Sequence, residues 1–161
     1  MPGTTAERAL AESSDPDNPD VDALRELLGR IQRVAVVGLS RDPAKAARRV
    51  PSYLATKGYS VLPVNPSADH ILGQAAVATL AELDGPVDLV LVFRPSEEAG
   101  EVIRKALDLP GGPPIWLQEG IRADAEARRA REAGRTVIQD LCIFKVHRSL
   151  QHELPQPGAR R

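Results

Sequence analysis

Apolar residues are concentrated in five short runs along the chain. The runs cover residues 33–38, 60–64, 87–93, 114–117 and 136–138. Several of them lack the alternation of apolar and polar positions that a half-exposed strand shows, which is typical of strands covered on both faces. The runs therefore predict the strands of a mostly parallel sheet.

Segments with the spacing of amphipathic helices precede the first run and separate the others. They cover residues 21–29 and, with approximate ends, 48–57, 79–83, 96–108 and 122–133. Strands that alternate with helices over so short a chain predict an α/β fold with helices on both faces of the sheet. The predicted fold class is a three-layer, doubly wound, Rossmann-like domain.

Both ends of the chain have the composition of loose tails. Residues 1–20 are small, polar and acidic, and residues 151–161 include Pro155 and Pro157. We therefore predict one folded domain over residues 21–150, with a disordered tail at 1–20 and a flexible tail at 151–161.

Composition and charge narrow the function classes. A net charge of -1 provides no extended field for a polyanion, so neither nucleic acid nor an acidic membrane is an expected partner. Cys142 is the single cysteine, and His70, His147 and His152 are scattered, so no disulfide and no metal site is predicted. No apolar run has the length of a membrane span and no signal peptide is expected, so we predict a cytoplasmic protein.

The carboxyl ends of the predicted strands are the expected place for a ligand, because open parallel sheets bind ligands there. The first four runs are followed by residues 38–49, 65–66, 94–95 and 118–120, which are rich in glycine, polar and basic residues. None of these segments supplies a nucleophile with a neighbouring base. No catalytic residue is therefore predicted.

The segment after the first run has the features of a phosphate-binding loop. Gly38 allows close approach of the backbone to a ligand, and Ser40 and free backbone N–H groups can meet phosphate oxygens. Pro51 restricts the next helix to a start near Arg48, which leaves a longer loop than the dinucleotide fingerprint has. The loop also carries basic residues that are either phosphate partners or a solvated surface, namely Arg41, Lys45, Arg48 and Arg49.

The end of the second run discriminates between nucleotides. An NAD-binding Rossmann domain usually has Asp or Glu there to bind the ribose hydroxyls, whereas this chain has Asn65-Pro66. Without that carboxylate, a phosphorylated ribose meets no repulsion. Coenzyme A and NADP both satisfy this condition, and Asn-Pro is also a common turn.

A series of short motifs over residues 30–150 resembles the stand-alone CoA-binding proteins. Their fold is similar to the N-terminal CoA-binding domain of the succinyl-CoA synthetase α subunit. The motifs, each at or just after a predicted strand, are Val36-Val37-Gly38-Leu39-Ser40, Gly58-Tyr59 with Pro63-Val64-Asn65-Pro66, Val92-Phe93-Arg94, Trp116-Leu117-Gln118-Glu119-Gly120-Ile121 and Asp140-Leu141-Cys142-Ile143.

The resemblance implies a set of ligand contacts. The phosphates of coenzyme A would lie near residues 38–43 with Lys45 and Arg49 as partners, the adenosine beside Asn65-Pro66, and further contacts would come from the third and fourth strand ends. The implied residues are Gly38, Leu39, Ser40, Arg41, Asp42, Pro43, Lys45, Arg49, Asn65, Pro66, Phe93, Arg94, Gln118, Glu119 and Gly120. Two departures from the family pattern are the replacement of a common serine near Ala47, and Leu141, where an arginine is usual.

The function implied is binding of coenzyme A or an acyl-CoA, as a sensor, a carrier or a partner of an acyl-CoA enzyme, without catalysis. The synthetase domain that carries the phosphorylated histidine has no counterpart in this sequence. The alternatives are an NADP- or NAD-binding oxidoreductase or redox sensor, and a non-catalytic subunit of an acyl-CoA synthetase. Cys142 is either a buried apolar residue or a partner for a mixed disulfide with the CoA thiol.

Overall fold

A five-stranded parallel sheet forms the centre of the computed structural model, which describes residues 4–67 and 69–157. The strands in chain order are β1 (Arg33–Val37), β2 (Ser60–Val64), β3 (His70–Ile71), β4 (Gln74–Ala75), β5 (Leu89–Val92), β6 (Ile115–Leu117) and β7 (Val137–Ile138). The sheet has the order β2-β1-β5-β6-β7, and β3 and β4 form a separate antiparallel hairpin. The predicted parallel α/β sheet is confirmed.

Helices cover both faces of this sheet. They are α1 (Thr5–Glu12), α2 (Val21–Arg30), α3 (Ala46–Thr56), α4 (Ser96–Ala106), α5 (Asp124–Glu132) and α6 (Ile143–Leu150). The helices α1, α2, α3 and α6 contribute to one apolar core and α4 and α5 to the other. Within the described residues, no helix combines the length and the apolarity needed to cross a membrane.

Burial on both faces explains why the strands lack polar alternation. In β1, Val34 and Val36 belong to the core beneath α2 and α3, whereas Ala35 belongs to the core beneath α4. All four residues of β5 are fully buried. The pattern of near-continuous apolar runs thus follows directly from the three-layer arrangement.

The N-terminal segment is folded from Thr4 onward, which corrects the prediction of a loose tail over 1–20. Thr4 and Glu7 form a reciprocal capping box at the start of α1. Ala6 and Ala9 are buried, and the Ala6 N–H donates to Ser149 Oγ at the end of α6 (3.2 Å). Small residues allow the two helices to lie close together, so low hydrophobicity did not mean disorder here. Residues 1–3 lie outside the described residues.

The C-terminal segment follows the surface of the domain rather than leaving it. A 3-10 turn covers Gln151–Glu153, and Leu154 packs against the core. Pro155 lies against Gly29 and Pro157 against Gly58. The predicted flexible tail at 151–161 is therefore corrected for residues 151–157, because its apolar side chains find partners. Residues 158–161 lie outside the described residues.

Helix α6 was not predicted, although its apolar residues recur at helical spacing. Ile143, Val146 and Leu150 are buried on one face. Gln139 and Asp140 separate this helix from the fifth predicted strand, and with eight residues it gives only a brief periodic pattern.

His147 links α6 to α3 as a buried, neutral imidazole. Its Nδ1 lies 2.7 Å from the Tyr53 hydroxyl, and its ring meets the edges of Tyr53 and Tyr59. Burial, with a smaller contribution from the Lys57 charge, lowers the pKa of His147 from 6.5 to about 4. The protonated form is therefore disfavoured in the folded state.

This histidine predicts a loss of stability on mild acidification. The unfolded chain protonates His147 below about pH 6.5 and the folded chain only near its lowered pKa of about 4. The stability from neutral His147 is therefore complete above pH 6.5 and falls by about 1.4 kcal/mol per pH unit between these values. Urea unfolding at about pH 7.5 and about pH 5 measures this change.

His147→Asn should remove most of that pH dependence, whereas His70→Asn, at an exposed histidine, should retain it. An equal pH dependence in both variants would contradict the assignment.

Candidate functional site

The carboxyl ends of β1 and β5 form a crevice at the centre of the sheet. The two strands are neighbours, and the chain leaves β1 toward α3 on one face and β5 toward α4 on the other. The Phe93 N–H donates to Val37 O (2.9 Å), so the pairing continues to the mouth of this crevice. Such a point, where the direction of winding reverses, is where doubly wound sheets bind ligands.

Gly38 lies in the crevice, close to the end of β5. It has a positive φ of 89°, and a Cβ at this position would lie 2.9 Å from Arg94 Cδ and 3.2 Å from the carbonyl oxygen of Phe93. Only glycine meets both the backbone conformation and the close approach without strain. The close approach at Gly38 is thus to the neighbouring strand end of the same chain, and its approach to a ligand stays a prediction.

The loop after β1 is closed onto the start of α3 by an unusual hydrogen bond. Helix α3 begins at Ala46, before the predicted start near Arg48, so Pro51 lies inside it. Since a proline has no N–H for the carbonyl four residues earlier, Ala47 O is free and accepts the Ser40 N–H (3.0 Å). The Ser40 N–H is therefore not one of the free backbone N–H groups of this loop.

Asp42 fixes the rest of this loop. Its backbone N–H donates to Ser40 Oγ (3.0 Å), and its Oδ1 accepts the Ala44 N–H (2.9 Å). The Lys45 N–H donates to the Asp42 carbonyl (3.1 Å). These bonds order the loop without using the charges of Lys45 or the first N–H groups of α3.

The N-terminus of α3 carries positive charge and lacks a side-chain cap among the described residues. Its first N–H groups and the helix dipole favour an anion. Lys45 and Arg49 are exposed beside it, and Arg49 Nη1 donates to Ala44 O, which holds the guanidinium against the loop. Cations at this end of a helix are unfavourable unless an anion joins them, so the arrangement suits a phosphate group.

Asn65 connects the end of β2 to the loop after β1. Its Nδ2 donates to Leu39 O (2.9 Å) and its Oδ1 accepts the Ser67 N–H (2.8 Å). The Leu39 side chain is fully buried. Asn65 and Leu39 therefore shape the site in the structure, whereas Pro66 is exposed beside it.

Two clefts open at this edge of the sheet. The first, here called the α4 cleft, has a volume of ≈370 Å³ and includes Gly38, Pro66 and Arg94 in its lining. Glu97, Glu98 and Glu101 of α4 also line it, and Arg94 Nη2 lies 2.7 Å from Glu98 Oε2. Lys105 of α4 also lines the cleft, so the α4 side has three carboxylates and one ammonium group, and Glu98 partly neutralises the charge of Arg94.

The second cleft, here called the α6 cleft, has a volume of ≈540 Å³. Apolar walls come from Val50, Phe93, Ile121 and Phe144, and polar groups come from Arg49, Gln118, Glu119 and Lys145. Cys142 also lines this cleft and is 8% exposed. The walls suit an uncharged, flexible chain with a few polar atoms.

Three consecutive residues after β6 are held by Asp140, which follows β7, and by the first turn of α6. Gln118 Oε1 accepts the Ile143 N–H (3.2 Å) at the start of α6, and Glu119 pairs with Lys145 (3.0 Å). The hydrogen bond from Lys145 to Glu119 raises the pKa of Lys145. The Gly120 N–H donates to Asp140 Oδ1 (2.6 Å).

The structure brings the fifteen candidate residues to one edge of the sheet but distributes them unequally. The α4 cleft takes Gly38, Pro66 and Arg94, and the α6 cleft takes Arg49, Phe93, Gln118 and Glu119. A smaller cavity next to the α6 cleft takes Gly120. Residues on the loop itself are Ser40, Arg41, Asp42, Pro43 and Lys45, and those that brace it are Leu39 and Asn65.

Sequence reasoning did not identify Phe144 and Lys145 as lining residues or Asp140 as a brace. All three follow β7, the fifth strand of the sheet. Extending the carboxyl-end rule from the first four strands to the last one would have found this segment.

A sequence model of the family described as the CoA binding domain matches residues 32–148 of this chain. The uncharacterized protein YneT of Bacillus subtilis (strain 168) is 42% identical over 130 residues, which cover 81% of this chain and 96% of YneT. The structure of cell-free ID.343 from Thermus thermophilus is similar at 38% identity and a TM-score of 0.77, over 82% of this chain and 99% of that one.

The fold also matches part of a larger enzyme, the dinucleotide-forming acetyl-coenzyme A synthetase 1 of Ca. Korarchaeum cryptofilum, solved with phosphate and ADP. The TM-score is 0.61 at 24% identity, over 71% of this chain and 27% of the synthetase chain. At this identity the likeness shows a shared fold.

The close approach at Gly38 predicts a specific loss of stability. Gly134 has a similar φ of 85°, but no atom lies within 4 Å of the place that a Cβ would take, so it isolates the conformational effect. Gly38→Ala should lower the free energy of unfolding by about 1 kcal/mol more than Gly134→Ala, because overpacking adds to the left-handed strain. Urea unfolding of both variants measures the difference, and equal losses would contradict the packing argument.

Proposed function

The chain belongs to the family of the CoA binding domain, and we propose that it binds coenzyme A or an acyl-CoA across the carboxyl ends of β1 and β5. The observation that supports this most is the meeting of two unlike clefts at adjacent residues of one strand end. Phe93 lines the α6 cleft, and Arg94 lines the α4 cleft, which adds three glutamates to a largely apolar lining. An extended ligand with chemically different halves fits such a pair.

Charge supports one orientation of the ligand. The three glutamates of the α4 cleft outnumber its two cations, Arg94 and Lys105, whereas the N-terminus of α3 carries Lys45 and Arg49. Phosphates are repelled by the first group and attracted by the second. We therefore assign the diphosphate to the start of α3 and the adenosine to the α4 cleft beside Pro66.

The remaining half of coenzyme A, the pantetheine arm, is assigned to the α6 cleft. This arm is uncharged, with two amides separated by short aliphatic segments. Phe93, Val50 and Phe144 offer apolar contacts to it, and Gln118 and Glu119 offer polar atoms. The thiol or a short acyl group then lies toward Cys142.

Binding without catalysis is part of the proposal. Cys142 is the nucleophile in the α6 cleft, and the imidazole nearest in sequence, His147, is buried against Tyr53 instead of facing the cleft. Glu119 and Lys145 are paired with each other. The arrangement suits a sensor, a carrier or a partner of an acyl-CoA enzyme better than an independent catalyst.

Thermal denaturation with different nucleotides tests the ligand. A ligand that binds only the folded state raises the unfolding midpoint with its concentration relative to Kd. We expect coenzyme A and acetyl-CoA to raise the midpoint more than NADP or NAD at equal concentrations. Stabilisation by NADP without stabilisation by coenzyme A would overturn the proposal in favour of a redox function.

Substitutions at the start of α3 test the phosphate assignment. Arg49→Ala should weaken binding of coenzyme A by about tenfold, since a charge-assisted bond to a phosphate contributes about 1.4 kcal/mol or more. Arg30→Ala removes an exposed charge at the end of α2 and should leave Kd unchanged. Titration calorimetry with coenzyme A and with phosphate-free pantetheine completes the test. Equal affinity for both ligands in the unmodified protein would contradict the assignment.

The position of Cys142 in the α6 cleft supports a second, redox-dependent mode of binding. Its thiolate can attack CoA disulfide, forming a Cys142–CoA disulfide and releasing one CoA thiolate. Intact-mass measurement after incubation with CoA disulfide should show an increase of one CoA, which Cys142→Ser should abolish. An unmodified mass would identify Cys142 as a buried core residue only.

A further inference from the structure

Asp140 holds a strained backbone conformation at the end of β7. Its φ is 52°, and among the described residues only Leu72 shares a positive φ without being glycine. Aspartate tolerates this region better than most residues, but the conformation persists only where the surroundings enforce it. The hydrogen bonds of its carboxylate supply that enforcement.

The Asp140 carboxylate joins two segments that are far apart in sequence. Its Oδ1 accepts the Gly120 N–H (2.6 Å), and its Oδ2 accepts both the N–H and the hydroxyl of Ser14 (2.8 and 2.7 Å). Burial alone would raise the pKa of Asp140, but the hydrogen bonds from Ser14 and Gly120 outweigh it and lower the pKa. The group is therefore ionised at neutral pH, and both oxygens act as acceptors.

The segment 13–18, here called the strap, is fixed to the same place by further bonds. Asn18 exchanges two hydrogen bonds with the Gln139 backbone (both 2.8 Å), and Ser13 Oγ donates to Gln139 O (3.0 Å). Arg122 Nη1 also donates to Ser14 Oγ (2.9 Å). The strap therefore lies directly over the end of β7.

The other side of Asp140 faces the candidate site. Gly120 follows Gln118 and Glu119, which line the α6 cleft. A small cavity of ≈280 Å³ includes Ser13, Gly120, Asp140 and Cys142 in its lining, so strap and site border the same space. Movement of Asp140 would shift the backbone at Gly120. The positions of Gln118 and Glu119 in the α6 cleft would change with it.

We propose that Asp140 is a positioning residue of the CoA site, which ties the strap to the segment 118–120 and so makes binding in the α6 cleft depend on the N-terminal segment. This inference rests on the proposed function for its effect on affinity. The bond between Asp140 and Gly120 is independent of any ligand and can be tested separately.

A matched pair of aspartates provides the test. Asp88 Oδ2 also accepts two backbone N–H groups, from Gln32 and Arg33 (2.9 and 2.8 Å), but at the amino end of the sheet. Asp140→Asn keeps the size of the side chain and removes its charge and one acceptor. It should weaken binding of coenzyme A by about tenfold, whereas Asp88→Asn should leave Kd unchanged even where it lowers stability.

Ser14→Ala is a second variant, which tests the connection even if Asp140→Asn does not fold. It should weaken binding of coenzyme A about threefold, and the loss should disappear in the Asp140→Asn background, because both changes break the same connection. Additive losses, or no loss from Ser14→Ala, would overturn the coupling of the strap to the site.

Amide exchange of Gly120 without ligand separates this inference from the proposed function. The Gly120 N–H should exchange at least several-fold faster in Asp140→Asn than in Asp88→Asn. Equal exchange would overturn the positioning role. If exchange differs but coenzyme A binds none of the variants or the unmodified protein, the proposed function and the effect on affinity fail, while the structural tie stands.

Discussion

The parallel pairing of β1 with β5 is the interaction on which the site depends. It places Gly38 against Phe93 and Arg94, and it sends α3 and α4 to opposite faces of the sheet. A crevice with the basic N-terminus of α3 on one side and the glutamates of α4 on the other results from that divergence. Without glycine at position 38, the strand ends could not approach so closely. Fold and site are therefore consequences of one packing arrangement.

Two backbone irregularities order the loops at the carboxyl edge of this sheet. Pro51 leaves the Ala47 carbonyl without its helical partner, and that carbonyl captures the Ser40 N–H. Asp140 adopts a left-handed conformation and captures Gly120 and Ser14. In the first case a helical hydrogen bond is lost, and in the second the backbone is strained. In both cases a hydrogen bond to a neighbouring loop offsets this cost and orders the loop.

The sequence could predict the sheet, its layers and the edge that bears the candidate site, because those depend on apolar periodicity and on general rules of parallel sheets. The family resemblance was also confirmed, because the model of the CoA binding domain family matches residues 32–148. Helix α1 and the strap were not predictable from composition, since their small and polar residues are ordered by contacts with α6, Gln139 and Asp140. The predicted start of α3 was two residues too late. The hydrogen bond from the Ser40 N–H to the Ala47 carbonyl, which allows Pro51 inside the helix, is a tertiary contact that the local sequence does not indicate. The individual ligand contacts remain predictions, as they depend on the ligand itself.

The most direct test of the account is a titration of the 15N-labelled protein with coenzyme A, followed by amide chemical shifts. The account predicts saturable shifts concentrated at residues 38–47, 93–94 and 118–120, which come from three separate strand ends. Amides at the opposite edge of the sheet, such as those of Gln32 and Asp88, should change little. Shifts clustered at that opposite edge, or no saturable shift at any residue, would contradict a CoA site at the carboxyl ends of β1 and β5.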